Sequence, residues 1–407
     1  MLDRLTIERM LTWTGDKPVL VALSGGGDSV ALLHLLVAQL GAARVQAVVV
    51  DHALRDGSAA DAKRASGFAE ALDVHTEILT LTWEAGANRA QQAAREARYG
   101  AICELAREKG LRAIVAGHTA DDQAETILMR AANGSTWRGL AGVAPFAFAP
   151  LWPEGRGIAL SRPLLGTRRE TLRAYLRERR AEWVEDPAND NPKFERVRSR
   201  QRLAELEAIG FDPMRLTAIA TRLRERSDAL DAAALNLISR AANVGPAVSI
   251  TRAAWRAPAE VRQRALSALM AAASGASREP PWTEMDALER RVMAHDYRGS
   301  THSGVAFAPT QTSVALTRDA GAVLGRADGA RALAPLPLLA NVEAIWDGRL
   351  AVTAPGEGWR VVPARNAELA AFENEALLAQ RAQPQLRSLA AERIAHAFAQ
   401  DINRAKP

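Results

Sequence analysis

Ser24-Gly25-Gly26-Gly27-Asp28-Ser29 stands between the apolar, β-branched run Pro18 to Leu23 and a run of helical periodicity, Ser29 to Leu40. Three glycines let a backbone turn tightly and leave its N–H groups uncovered, and the positive end of the following helix points at the same spot. The segment suits a phosphate. A plain strand-to-helix turn capped by Asp28 or Ser29 would use similar residues, but two hydroxyls and an acid coincide here at the first such junction. No GK[ST] follows, and the third glycine of a dinucleotide fingerprint is missing, so neither of those loops is present. Without a lysine, the charge that develops on a transferring phosphate must be met by backbone N–H groups and Mg²⁺.

A second cluster begins at Val115-Ala116-Gly117-His118 and continues Thr119-Ala120-Asp121-Asp122-Gln123-Ala124-Glu125-Thr126. Asp122 and Glu125 are three apart and share a helix face, with His118 at the strand exit beside them. Each residue also has a structural reading, since Thr119 is a good N-cap and acids in a first turn favour the helix dipole. In a doubly wound sheet the first and fourth strands commonly adjoin, and ligands bind at their carboxyl ends. Both clusters then face one crevice. Acids beside a phosphate loop repel it unless a cation intervenes, so Mg²⁺ or an ammonium-bearing substrate is expected there. His52, after Val50-Asp51, lies on the same rim; contact with adenine or ribose and satisfaction of its own loop both stand as readings. Arg95 and Arg98, in Ala94-Arg95-Glu96-Ala97-Arg98-Tyr99, read by themselves as a solvated helix face.

These residues are spaced by short apolar runs alternating with helical patterns. Strands are predicted at 18–23, 45–50, 75–81, 113–116 and 158–160, and helices at 29–40, 58–72 and 89–109. The expected fold is α/β, a Rossmann-like doubly wound parallel sheet over residues 1–212. Ala/Leu/Arg-rich helical patterns then predict a helical domain over 213–300. Residues 301–407 read as a small mixed α/β region, with a hairpin about Asp347-Gly348 and a closing helix over 384–399.

The 407 residues suffice for two or three domains, and 48% hydrophobic against 24% charged residues is an ordinary globular balance. No apolar stretch is long enough to span a bilayer, and the first residues carry no export signal, so a cytoplasmic location is expected. The single cysteine, Cys103, excludes an intramolecular disulfide, a CxxC metal site and a two-cysteine sulfur relay. Net charge is +5, and between Arg156 and Leu206 there are 13 Arg/Lys against 8 Asp/Glu, a surplus equal to that of the whole chain. A polyanionic partner would meet that segment.

SGGGDS resembles the PP-loop of enzymes that cleave ATP between its α- and β-phosphates and adenylate a substrate oxygen. With VDHALR, AREARY, GHTADDQAET, RGLAG, RPLL and DPAND following in order, the first half of the chain resembles the tRNA(Ile)-lysidine synthetase family. The resemblance implies ATP and Mg²⁺ as cofactors and, as partners, L-lysine and an isoleucine tRNA with a CAU anticodon; it also admits a homodimer. It implies that ATP adenylates the C2 carbonyl oxygen of the wobble cytidine, and that the lysine side-chain amine then displaces AMP.

Carried over residue by residue, it implies Ser24, Gly25, Gly26, Gly27, Asp28, Ser29, His52, Gly117 and His118 for ATP, with Asp28 at the metal. Arg95, Asp122, Glu125 and Arg196 surround the lysine and the reacting base; Asp122 and Glu125 are the candidate general bases, and Trp137, Tyr175, Trp183 and Phe194 the candidate stacking partners. Thr136 replaces a usual glycine, Val143 a common methionine, and Val197 an asparagine, which predicts a stiffer loop and questions the amide's role. Residues 214–407 are expected to grip the tRNA body. The rivals are a PP-loop tRNA thiolase, disfavoured by the lone cysteine; an amidating enzyme, for which no ammonia source is evident; and a silent RNA binder, which would have no need of acids beside phosphate.

Overall fold

The computed structural model describes residues 1–53, 57–83, 91–185, 195–245, 247–326, 329, 331–366, 368–374 and 383–398. Contacts divide the chain into two compact units, Met1–Asp228 and a second beginning at Ala229, and the division falls within one helix.

The first unit runs α1 (Arg4–Thr14), β1 (Val19–Ala22), α2 (Gly27–Leu40), β2 (Val45–Asp51), α3 (Ser58–Glu70), β3 (His75–Thr80), α4 (Gln91–Glu108) and β4 (Ala113–Ala116). It continues with α5 (Ala120–Ala132), α6 (Trp137–Leu140), β5 (Phe146–Phe148), β6 (Ala159–Ser161), α7 (Arg169–Glu178), α8 (Glu195–Ala208) and α9 (Met214–Ala241). The sheet order is β3-β2-β1-β4-β6-β5, with every pairing parallel except that of β5 with β6. This is the expected doubly wound α/β fold. β1 and β4 are buried along almost their whole length, which is why both read as unbroken apolar runs. Their register pairs Val21 with Val115, so the two predicted clusters leave the sheet from adjacent strands at the same edge. Tyr99, Ile102, Cys103 and Ala106 of α4 pack over Leu20, Val48, Ile114 and Leu160 on one face. The short edge strand β5 and the helix α1, begun by an Asp3 cap on the Thr6 N–H, had no distinct signal in the sequence.

The second unit contains the end of α9, then β7 (Ala242–Val244), β8 (Val248–Thr251), α10 (Ala259–Ser274), α11 (Trp282–Met293), β9 (Ser300–His302), β10 (Val305–Pro309), β11 (Ser313–Arg318) and α12 (Ala320–Leu324). β12 (Leu336–Pro337), β13 (Glu343–Trp346), β14 (Leu350–Thr353), β15 (Trp359–Pro363), β16 (Ala370–Asn374), β17 (Gln385–Ser388) and α13 (Ala390–Ala397) follow. A five-stranded sheet, β7-β8-β11-β10-β9, packs on α10. Its core draws on both the helical stretch before residue 300 and the mixed stretch after it, from Ile238 and Leu269 to Phe307 and Phe398.

Two details depart from the sequence reading. Val248 and Ile250 alternate with polar residues and join β11, so strands interrupt the helical stretch. The closing helix begins only at Ala390, because Gln385–Ser388 completes the edge of β14. The Asp347-Gly348 hairpin is present, with both residues at positive φ.

Candidate active site

The glycine turn has the backbone its composition asks for. Gly25 adopts φ +82°, where a side chain is strained, and a Cβ there would stand 3.0 Å from the Cβ of Ala65. Ser29 Oγ accepts from the Ser24 N–H at 3.2 Å and donates to the Gly26 carbonyl at 2.9 Å, closing the turn on itself. The Val184 N–H donates to the Gly25 carbonyl at 2.8 Å, and the Trp183 indole lies against Gly27. α2 begins at Gly27 with no side-chain cap, so no side chain of the turn takes up its first N–H groups.

Gly117 shows how closely the second cluster approaches. A Cβ at this position would come within 3.0 Å of the Asp28 carbonyl oxygen and 3.1 Å of the Ser29 Cα. Only glycine lets the end of β4 lie against the start of α2. Thr119 then caps α5 as predicted, and Asp122 completes the box: its Oδ2 accepts from the Thr119 N–H at 2.8 Å and the hydroxyl at 3.0 Å. The capping reading of this residue therefore holds for Oδ2, and Oδ1 is turned to the arginines described next.

Three arginines meet the acids. Arg169, at the start of α7, donates to Asp28 Oδ2 and Asp122 Oδ1 at 2.9 Å each and reaches Glu125 Oε1 at 3.4 Å. Arg196 of α8 donates to Asp122 Oδ1 at 2.9 Å and Glu125 Oε2 at 3.0 Å. Arg200, one turn on, donates to Glu125 Oε1 at 2.9 Å. Glu125 is wholly buried beneath them. Burial works to raise Asp122, but Arg196 and Arg169 outweigh it and hold its carboxyl below the usual range. Asp28 goes the other way, raised by burial that Arg169 only partly offsets. The cation that the sequence reading required between acids and phosphate loop is thus supplied by the chain itself.

Arg169 and Arg200 were not singled out from the sequence. Their signal was the arginine-rich stretch that supplies the chain's surplus charge, whose members are indistinguishable without the fold. Arg196 joins the acids. Arg95 does not: its guanidinium carbon lies 5.0 Å from the centre of the Tyr99 ring. His52 sits at the exit of β2 with its carbonyl accepting from the Trp83 indole at 2.7 Å. His118 is pushed down to about 3 by burial, with Arg162 adding to the effect, and stays neutral.

Val197, at the asparagine position, is a buried packing residue. The Val143 backbone is clamped in both directions by the Gln123 amide, at 2.8 and 2.9 Å. Of the stacking candidates, Tyr175 is buried under Arg179, and Trp137 has Arg226 over its ring at 4.5 Å. Phe194 and the Asp186–Asp190 motif lie outside the described residues. The Cys103 thiol is buried and pushed up to about 12, which leaves it unreactive.

Among the described residues no group of three His, Cys, Asp or Glu side chains is arranged to hold a metal ion. One carboxylate, Asp28, stands at the loop with an oxygen on Arg169. That donor set fits a Mg²⁺ ion held chiefly by phosphate oxygens and water, with Asp28 as its protein ligand.

A lysine-free glycine turn at the switch point of a doubly wound sheet defines a PP-loop nucleotide-binding domain, and the model of the PP-loop domain family matches residues 3–207. Beyond that class, the chain is 38% identical to a tRNA(Ile)-lysidine synthase of Hyphomonas neptunium, over 75% of this chain and 83% of that one. It is 38% identical to the enzyme of the same name from Mesorhizobium japonicum, over 82% and 71%, and to that of Rhodococcus erythropolis, over 77% and 92%. The chain belongs to the tRNA(Ile)-lysidine synthase family. Among solved structures it is similar to a U34-tRNA thiolase from Methanococcus maripaludis, with a TM-score of 0.42 and 16% identity over 55% of this chain and 77% of that one. No described helix is long and apolar enough to cross a membrane.

Proposed function

We propose that this protein ligates L-lysine to C2 of the wobble cytidine in a CAU-anticodon isoleucine tRNA, consuming ATP and releasing AMP and pyrophosphate. One observation carries the reading. Asp28 of the phosphate turn and Asp122 and Glu125 of the acidic helix start share one guanidinium, that of Arg169, so both halves of the reaction have a single crevice.

In the first half, the C2 carbonyl oxygen attacks the α-phosphorus, the bond to the β-phosphate breaks, and pyrophosphate departs into the uncovered N–H groups of the turn. Mg²⁺, when bound, neutralises charge on the phosphates. In the second half, the lysine ε-amine attacks C2 and AMP leaves with the former carbonyl oxygen. The amine must first lose a proton, and the Asp122 Oδ1 oxygen, kept ionised by its arginines, is the acceptor we favour. The ammonium enters by displacing a guanidinium from the acid pair, and the freed arginine is then available to the departing phosphate or to RNA. An anticodon loop is single-stranded, so presenting its base costs little. The arginines of α7 and α8 outside the acid cluster serve the RNA backbone, and the second unit reads the tRNA beyond the anticodon.

The test is incubation with ATP, Mg²⁺, labelled lysine and either a CAU isoleucine tRNA or a methionine tRNA of the same anticodon. Label on the first alone is expected. Label entering only from a sulfur donor would replace this reading with thiolation.

A further inference from the structure

Buried polar atoms almost always find partners, so the exceptions need a reason. At the carboxyl edge of the sheet, Nδ1 of His118 and Nε of Arg162 are buried and without a partner among the described residues. The two sit at the ends of neighbouring parallel strands. β4 and β6 pair Val115 with Ser161, so Arg162 comes level with Ala116, two residues before His118. Arg162 is only 6% exposed. It is also fixed: its NH1 donates to the Ala144 carbonyl and its own N–H to the Pro145 carbonyl, both at 2.7 Å.

The surroundings are positive. Arg95 and Arg98 stand 5.0 and 5.4 Å from the Tyr99 ring centre, and the Tyr99 hydroxyl interacts with both Arg98 and Arg162. Burial pulls Arg98 and Arg162 below the usual arginine range, and Arg95 beside both of them pulls in the same direction. In the acid cluster every guanidinium has a carboxylate; among the described residues Arg98 and Arg162 have none paired with them, and the one acid acting on His118 is Asp122, which its own arginines already hold. A buried cation in that state is stabilised by an incoming anion.

The pyrophosphate is not that anion. Its turn follows β1, and β6 lies two strand positions away, about 10 Å across the sheet. The start of α5, with Asp122 and Glu125, lies between. An extended molecule with an ammonium on those acids and an oxyanion at Arg162 is an ω-amino acid.

We propose that Arg162, assisted by His118, seats the α-carboxylate of the free amino acid, which makes Arg162 the residue that distinguishes lysine from a simple diamine. The inference rests on the lysine-ligating function proposed above. A planar guanidinium with Nε unspent suits a carboxylate, which it can engage through two N–H groups.

The test compares the full-length wild type with Arg162→Met and Arg162→Lys, using lysine and cadaverine, which is lysine without its carboxylate. Pyrophosphate release on the tRNA without lysine is followed separately, and melting temperatures are recorded. For Arg162→Met, the lysine KM should rise roughly 10- to 100-fold, and preference for lysine over cadaverine should shrink by the same factor. The ATP KM and pyrophosphate release should be unchanged. Arg162→Lys, which keeps the charge but not the fork, should fall between, and it carries the comparison should the methionine variant not fold. Equal losses for lysine and cadaverine would overturn the assignment, as would a raised ATP KM with an unchanged lysine KM, which would place a nucleotide phosphate at Arg162. A wild type that releases pyrophosphate but ligates neither amine would instead overturn the function on which the assignment rests.

Discussion

Gly117 and Asp28 are almost ninety residues apart in the chain, yet the position of a Cβ on Gly117 lies 3.0 Å from the Asp28 carbonyl oxygen. The obstacle is backbone, which cannot rotate aside as a side chain would. Gly117→Ala should cost about 1–3 kcal/mol of stability, as overpacking does, and should weaken ATP binding because the displaced segment is the phosphate turn. Denaturant unfolding and equilibrium nucleotide binding measure the two effects; wild-type values for both would mean the strands have room to part.

Arg169 is the common counter-ion of three carboxylates, and its side chain is mostly buried. Arg169→Met should destabilise the first unit by about 3–5 kcal/mol, the usual cost of leaving buried charge unpaired. Adding Asp122→Asn should recover part of that loss, because fewer like charges then face one another. A double-mutant cycle reads the coupling directly, and strict additivity would contradict the shared-counter-ion picture.

Acid should act on His118 before it acts on the carboxylates. In the folded chain this imidazole stays neutral down to about pH 3, whereas the unfolded chain takes up a proton near its ordinary value of 6.5. The unfolded state therefore binds the extra proton between those limits, and stability falls as pH drops through them, by up to ~1.4 kcal/mol per unit. Asp122 contributes with the usual carboxylate sign: its lowered value stabilises above about pH 4, and that contribution is lost as pH falls further. Unfolding free energies measured from pH 7 to 4 should slope less steeply in His118→Gln than in the wild type; parallel slopes would mean the ring is solvated.

In the second unit, Arg264 is nearly inaccessible and donates to Asp231, to Glu279 and to the Ala397 carbonyl, with its guanidinium over the Phe398 ring at 4.1 Å. It ties α10 to the chain's last described helix. Arg264→Leu should cost several kcal/mol, of the order of 3–5, and amide hydrogens of α13 should exchange faster. Unchanged exchange there would show that apolar packing alone holds the helix.

Much of the first unit was legible because its signals are local. β1 and β4 are short apolar runs, and the glycine turn and the Thr119–Asp122 cap each lie within six residues. Asp28, Asp122 and Glu125 could therefore be named and paired from spacing plus the switch-point rule. What could not be read was who neutralises them. Arg169 is 141 residues from Asp28, and Arg200 is 75 from Glu125; along the chain neither differs from a dozen arginines nearby. Arg95, which the motif placed around the lysine and the reacting base, rests on an aromatic ring one helical turn away and acts electrostatically on His118; nothing local in the sequence indicated that ring contact. In the second unit, β7, β8 and β17 have only three or four residues each. Such strands exist because a neighbouring edge accepts them, and periodicity over so few positions says little.

Because the acidic helix start is already balanced by guanidinium groups from the same chain, the amino acid proposed above would exchange one counter-ion for another. Its affinity would then be the difference between two similar bonds, which favours easy release, and selectivity would have to come from whichever end of the molecule meets a charge with no incumbent.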